Sequence, residues 1–205
     1  MKLDHSRHLR IWEMALMLAL CIALCAGAWA QNRQARLADK LIRLHVVAVS
    51  DDETEQNIKL QVRDAVLEYL EPLLREKDSA AGAAEVISGH MDGLKRAAES
   101  ASRGRRVTVS LEEESFPTRE YETFSLPAGK YMSLRVVLGD GMGHNWWCVV
   151  FPPLCAGGAL DTDVQAAALS GDDIALITED GDGYVLKFRI LELWGELVEK
   201  LGRNG

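Results

Sequence analysis

Positive charge is scarce in this sequence: 23 Lys and Arg stand against 31 Asp and Glu, for a formal net charge of −8. That balance argues against non-specific binding to nucleic acid or to an anionic membrane surface. No basic patch interleaved with aromatics offsets it, and the one tight arginine cluster is Arg103, Arg105 and Arg106. The sequence contains neither C-x-x-C nor H-E-x-x-H, so no metal-ligand spacing stands out. It also lacks a Ser/His/Asp spacing that would suggest nucleophilic catalysis, and it shows no internal repeat. Cysteine is limited to Cys21, Cys25, Cys148 and Cys155. Neither Cys21 nor Cys25 follows the small residue that a lipid-attachment site needs. These absences leave no expected catalytic residue, metal or cofactor, and no nucleic-acid partner.

What is present begins with a leader. Lys2, Arg7 and Arg10 form a positive start, and an uncharged apolar run extends from Met14 to Ala30. It closes on Ala28-Trp29-Ala30, an A-x-A cleavage signal, before polar Gln31. Residues 1–30 therefore read as a signal peptide or an uncleaved N-terminal membrane anchor, and 31–205 as one exported domain. Membrane contact is expected only through the leader, if it is retained. Removal of the leader takes Cys21 and Cys25 with it. Cys148 and Cys155 would remain in an oxidising compartment, where an even cysteine count suggests a disulfide.

The order of elements predicts an α+β fold. Gln31–Asp39 reads as a polar lead-in. Leu41–Val49 is β-branched and alternates, with Ile42, Leu44, Val46 and Ala48 on one face and Arg43, His45, Val47 and Val49 on the other. Ser50 and Glu53 have capping-box spacing, so a helix is expected from about Glu53 to Lys77, with a stripe of Ile58, Val62, Ala65, Tyr69 and Leu73, widened by Leu70 and Leu74. A second helix is expected over 83–102. Strands are expected at 106–112 and 131–138, a short extended piece at 121–126, and a last helix at about 191–201. The expected architecture is a mostly antiparallel sheet with a helical hairpin packed on it, plus a C-terminal helix. Gly139 to Gly143 should join two strands as an antiparallel hairpin.

The stretch that draws attention is Asn145-Trp146-Trp147-Cys148-Val149-Val150-Phe151-Pro152-Pro153-Leu154-Cys155. Strand alternation puts Trp146, Cys148 and Val150 on one face and Trp147, Val149 and Phe151 on the other. Cys148 could serve as a nucleophile with His45, His90 or His144 as base, but a thiolate is poorly stabilised inside a bulky apolar strand. A turn at Pro152-Pro153 would let Cys148 reach Cys155. Asp140, His144 and Cys148 do not share a helical face as metal ligands would. Asp180-Gly181-Asp182-Gly183 resembles part of a calcium loop but lacks its bidentate Glu. The Gly139, Gly141, Gly143 loop leads into a strand and not into the helix N-terminus that binds phosphate.

Three blocks of this sequence resemble the stage II sporulation protein R family: Glu114-Ser115-Phe116-Pro117-Thr118-Arg119, Leu126-Pro127-Ala128-Gly129-Lys130-Tyr131, and Gly143 through Cys155. Ile42–Asp51 and Lys59–Val66 are similar as well, although Val49 stands where Asn is expected. The resemblance implies an exported messenger, made in the forespore. In the space between the two membranes it would activate a membrane-embedded aspartic protease of the mother cell, which processes the pro-sigma-E precursor. A secreted cysteine hydrolase and a cell-wall-binding module are the rival readings. Aromatic bulk beside glycine-rich loops nominates His144, Asn145, Trp146, Trp147, Phe151 and Pro152 as partner contacts. Phe116, Pro117 and Arg119 form a second nominated patch.

Overall fold

The computed structural model describes residues 2–121, 124–154, 169, 170, 173 and 177. They fall into two units, the N-terminal helix as far as Ala35 and a body beginning at Arg36. Helix α1 (Lys2–Ala38) is long and apolar enough over Arg10–Ala38 to cross a membrane, by length and composition. Its large apolar side chains, Ile11, Trp12, Leu16 and Leu18 among them, are exposed. Such a helix is compatible with a signal peptide or a membrane anchor. The polar lead-in expected at 31–39 is helical as far as Ala38, and Leu37, Ala38 and Leu41 are buried in the body.

The body is α+β. Strand β1 (Ile42–Val47) leads to α2 (Glu53–Leu74), α3 (Ala80–Gly89) and α4 (Met91–Ala101). Then come β2 (Val107–Phe116), β3 (Arg119–Glu120), β4 (Ser125–Leu126), β5 (Gly129–Leu138) and β6 (Asn145–Phe151). Four strands form one sheet in the order β2-β5-β1-β6, and β3 with β4 makes a separate two-stranded ribbon.

This order corrects the expected sheet. β5 and β6 do not pair as a hairpin, because β1 lies between them, parallel to β5 and antiparallel to β6. The sheet is therefore mixed. The physical reason is that all six residues of β1 are buried. A strand buried on both faces belongs in the middle of a sheet. The last helix expected at 191–201 lies outside the described residues.

Ile42, Leu44 and Val46 meet Ile58, Val62, Val66, Leu70 and Leu74 of α2 in the main core, together with Ile87, Leu94 and Ala98. The buried stripe of α2 recurs every fourth residue, so Val66 replaces the expected Ala65 and leaves Tyr69 and Leu73 at its flank. The capping box at Ser50 does not form; Asp52 is the N-cap, and the Ser50 hydroxyl donates to its carboxylate at 2.6 Å. The helix expected over 83–102 is two helices. Ser79 caps α3, accepting from Gly82 N–H at 3.3 Å, and the chain breaks at Gly89-His90, where Gly is a weak helix former. The His90 ring then donates to Val86 C=O at 2.8 Å.

Strand β6 carries a bulge. Arg43 pairs with Val149, but Ile42 pairs with Phe151, so one step of β1 spans two of β6. The extra residue reverses the alternation. Phe151 therefore turns into the main core beside Val150, correcting the expectation that it shares a face with Trp147 and Val149.

Candidate functional site

The sheet has two faces, and the adjacent tryptophans divide between them. Trp146 lies on the helix side, half-buried against the main core, with the Arg63 guanidinium 4.5 Å from its ring. It closes a loop that is tightly fastened. Gly143 N–H donates to Ala48 C=O at 3.0 Å, and His144 N–H to the Asp51 carboxylate at 2.6 Å. The His144 ring also meets that carboxylate at 2.6 Å. The Lys59 ammonium, almost wholly buried, donates to His144 C=O at 3.1 Å and to Gln56 at 2.6 Å. Desolvation lowers the Lys59 pKa, with Asp51 opposing and Arg63 reinforcing that shift. Met142, His144 and Asn145 project as an exposed rim.

Gly143 has no room for a side chain, since a Cβ there would lie 2.3 Å from the Ser50 carbonyl oxygen. The obstacle is backbone, so Gly143→Ala must displace one of the two loops. The expected cost is about 2 kcal/mol, typical of overpacking, and urea unfolding monitored by tryptophan fluorescence measures it.

Trp147 lies on the other face, where the nominated Trp147, Phe116 and Arg119 meet a polar row of Arg43, Glu114, Ser133 and Arg135 that the sequence did not single out. Cross-strand register lines up Trp147, His45 and Arg135 in one row and Val149, Arg43 and Ser133 in the next. The His45 ring meets the Glu114 carboxylate through Nδ1 at 2.8 and 2.9 Å, and Ser133 Oγ donates to the same carboxylate at 3.0 Å. Arg135 Nε is 4.0 Å from it. A carboxylate at Nδ1 fixes the tautomer with Nδ1 protonated and leaves Nε2 as the reactive nitrogen. That nitrogen is buried and has no hydrogen-bond partner.

Aromatic rings wall this polar row. Phe116 stands 6.1 Å from His45, 6.3 Å from Trp147 and 5.9 Å from Tyr131. Arg119 lies over Trp147 at 3.8 Å. Arg43, wholly buried, sits 4.0 Å from the Phe116 ring and 4.9 Å from Tyr131, and its Nη2 donates to the Tyr121 hydroxyl at 3.0 Å. Tyr121 stacks on Phe124 at 4.4 Å within the ribbon. Burial raises the Tyr131 pKa, opposed by Arg43 and reinforced by Tyr121.

The two nominated patches are thus rearranged. Trp147 joins Phe116 and Arg119 on one face, while His144, Asn145 and Trp146 belong to the loop on the other side. Phe151, Pro152 and Phe116 are buried, whereas Pro117 and Arg119 are exposed. Cys148 is buried in the main core and lies opposite Leu44, so it faces away from His45. That arrangement separates the Cys148 sulfur from the imidazole that a hydrolase would need. Cys155, and the Cys148–Cys155 pairing with it, lies outside the described residues, as does Asp180-Gly181-Asp182-Gly183. Among the described residues no group of three or more His, Cys, Asp and Glu is placed to hold a metal ion.

The signal that could have exposed the second face was present in β1. Arg43 and His45 alternate with Ile42, Leu44 and Val46, yet both flanks of that strand are too apolar for a solvated edge. A polar pair on a central strand needs partners from elsewhere in the fold, here Tyr121 for Arg43 and Glu114 of β2 for His45.

The family model described as stage II sporulation protein R matches residues 38–160. The stage II sporulation protein R of Bacillus subtilis (strain 168) is 35% identical over 129 residues, which cover 61% of this chain and 58% of that protein. The match therefore spans less than two thirds of the relative's length. No solved structure matches.

Proposed function

The chain belongs to the stage II sporulation protein R family, and from that premise we propose that it is an exported intercompartmental signal of sporulation that activates a membrane-embedded aspartic protease of the mother cell. That protease would process the pro-sigma-E factor. The protein acts as a ligand of the protease and not as an enzyme. It crosses the forespore membrane into the intermembrane space, directed or anchored by α1.

The observation that carries the reading is the extent of the family match, which takes in every strand of the sheet and the three helices that cover it. Two surfaces within that span are suited to contact. One is the Met142, His144, Asn145 and Trp146 rim, backed by Arg63. The other is exposed Arg119 over Trp147, beside Pro117. Trp and Arg are enriched among the residues that dominate binding energy at interfaces. The anchored loop presents its rim already ordered, which reduces the entropy lost on docking.

The test is co-expression with the protease and its precursor in a non-sporulating host, scoring precursor cleavage. Arg119 is exposed, so Arg119→Ala should change stability by no more than about 0.5 kcal/mol. It should nevertheless lower cleavage at least tenfold, as should Trp146→Ala. Folded variants that both support cleavage at the parental rate would remove these surfaces from the proposal. No cleavage with the parental chain would remove the protease role itself.

A further inference from the structure

The face that carries Trp147 holds more unanswered hydrogen-bond donors than any other place among the described residues. The Nε and Nη1 of Arg43, and the Nε of Arg135, are buried and meet no acceptor, and His45 Nε2 is likewise without a partner. We propose that this face is a carboxylate-binding site, with the Arg43 and Arg135 guanidinium groups as its anchors.

The argument starts from Arg43. A wholly buried guanidinium requires a counter-charge or a full set of acceptors. Its described partners are a neutral hydroxyl and two ring faces. Cation–π contacts compensate a desolvated cation only in part. Among the described residues, the carboxylate on this face, Glu114, is already engaged, accepting from His45 and Ser133. What remains open on Arg43 is Nε and Nη1; each shares an edge with Nη2, so a carboxylate that takes the place of the Tyr121 hydroxyl on Nη2 can be gripped in bidentate fashion.

Two further cations flank this row. Across the row, Arg119 caps Trp147 at one end and Arg135, with its side chain 40% exposed, stands at the other. Below them, cover over Arg43 includes Tyr121 of the β3–β4 ribbon, whose strands pair only with each other among the described residues. A carboxylate entering between Arg119 and Arg135 would displace the Tyr121 hydroxyl and take the Arg43 edge. Aromatic walls of Phe116, Trp147 and Tyr131 would hold the attached carbon chain. This inference rests on the donor geometry and is independent of the protease reading.

The test is titration of the full-length protein in detergent, with tryptophan fluorescence and thermal unfolding as readouts, at constant ionic strength balanced by chloride. The probes are acetate, the capped tripeptide acetyl-Gly-Glu-Gly-amide, its Gln counterpart, and inorganic phosphate. The expected result is a saturable response to the Glu tripeptide and none to the Gln tripeptide. Arg135→Gln and Arg43→Gln should each weaken binding at least tenfold. If the Glu tripeptide binds at least tenfold more tightly than acetate, the natural ligand is an acidic protein segment. Equal affinities identify a free small acid. Should Arg43→Gln fail to fold, Arg135→Gln carries the test alone. A response no larger than that to chloride overturns the proposal. So does equal binding of the Gln tripeptide, binding of phosphate as tight as that of carboxylate, or unchanged affinity in the folded variants.

Discussion

Phe151→Ala is expected to lose about 3–5 kcal/mol of folding stability, the range for removing a buried aromatic side chain. The ring is wholly buried in the main core, opposite Ile42, and the bulge in β6 put it there. Little can collapse into the space, because both neighbouring positions, Val150 and Ile42, are themselves packed and strand-bound. Equilibrium unfolding in urea should show a lower midpoint with an unchanged slope. The contrast with the exposed residues matters for function. Loss of signalling in Phe151→Ala would follow from loss of the folded body, whereas loss in Arg119→Ala would report a contact. Phe151→Leu separates the two, since it keeps most of the buried volume. It should recover most of the stability and with it the cleavage. A Phe151→Ala chain as stable as its parent would refute the buried assignment.

The second large effect concerns the cysteines. If Cys148 and Cys155 are joined, Cys148→Ser and Cys155→Ser should destabilise the chain by similar amounts. The enclosed loop is short, so the chain-entropy argument places the effect at about 2.5 kcal/mol. Cys148 lies in the main core, and a serine there also buries a hydroxyl, so its variant should be slightly the worse of the two. Unfolding in the presence and absence of reductant provides the check. Reductant should bring the parent down to the level of Cys155→Ser and leave that variant unmoved. A parent indifferent to reductant would show that no bridge contributes.

These two residues illustrate what could be read from the chain and what could not. Strand β6 was legible, because Trp146 to Phe151 is bulky, apolar and β-prone, although which of its faces would be covered was left open. The face of Phe151 was not, since a bulge depends on how β6 meets β1 and leaves no local mark. The same holds for the sheet order. Gly139 to Gly143 is a good turn, but a turn says only that β5 and β6 run in opposite directions. That β1 slips between them follows from its burial on both sides, a property of the assembled sheet. Helix α2 was legible from its apolar period, and its cap was misplaced by two residues because Ser50 and Asp52 compete for one role. On the candidate site, Trp146, Trp147 and Arg119 were named from composition alone. Their separation onto opposite faces follows from alternation. The partners of His45 come from β2 and β5, about 70 and 90 positions away, and no local pattern links them.

The placement of β1 has a consequence for how the molecule comes into being. Synthesis delivers this strand first, yet Ile42 finds its neighbours only at Met132 and Phe151, some 90 and 109 positions later. Until both have emerged, the most apolar ribbon of the sheet has nothing to hydrogen-bond to. Contacts of such long range make for slow assembly. The sheet of such a chain closes only after β6, its last strand in sequence, has been made.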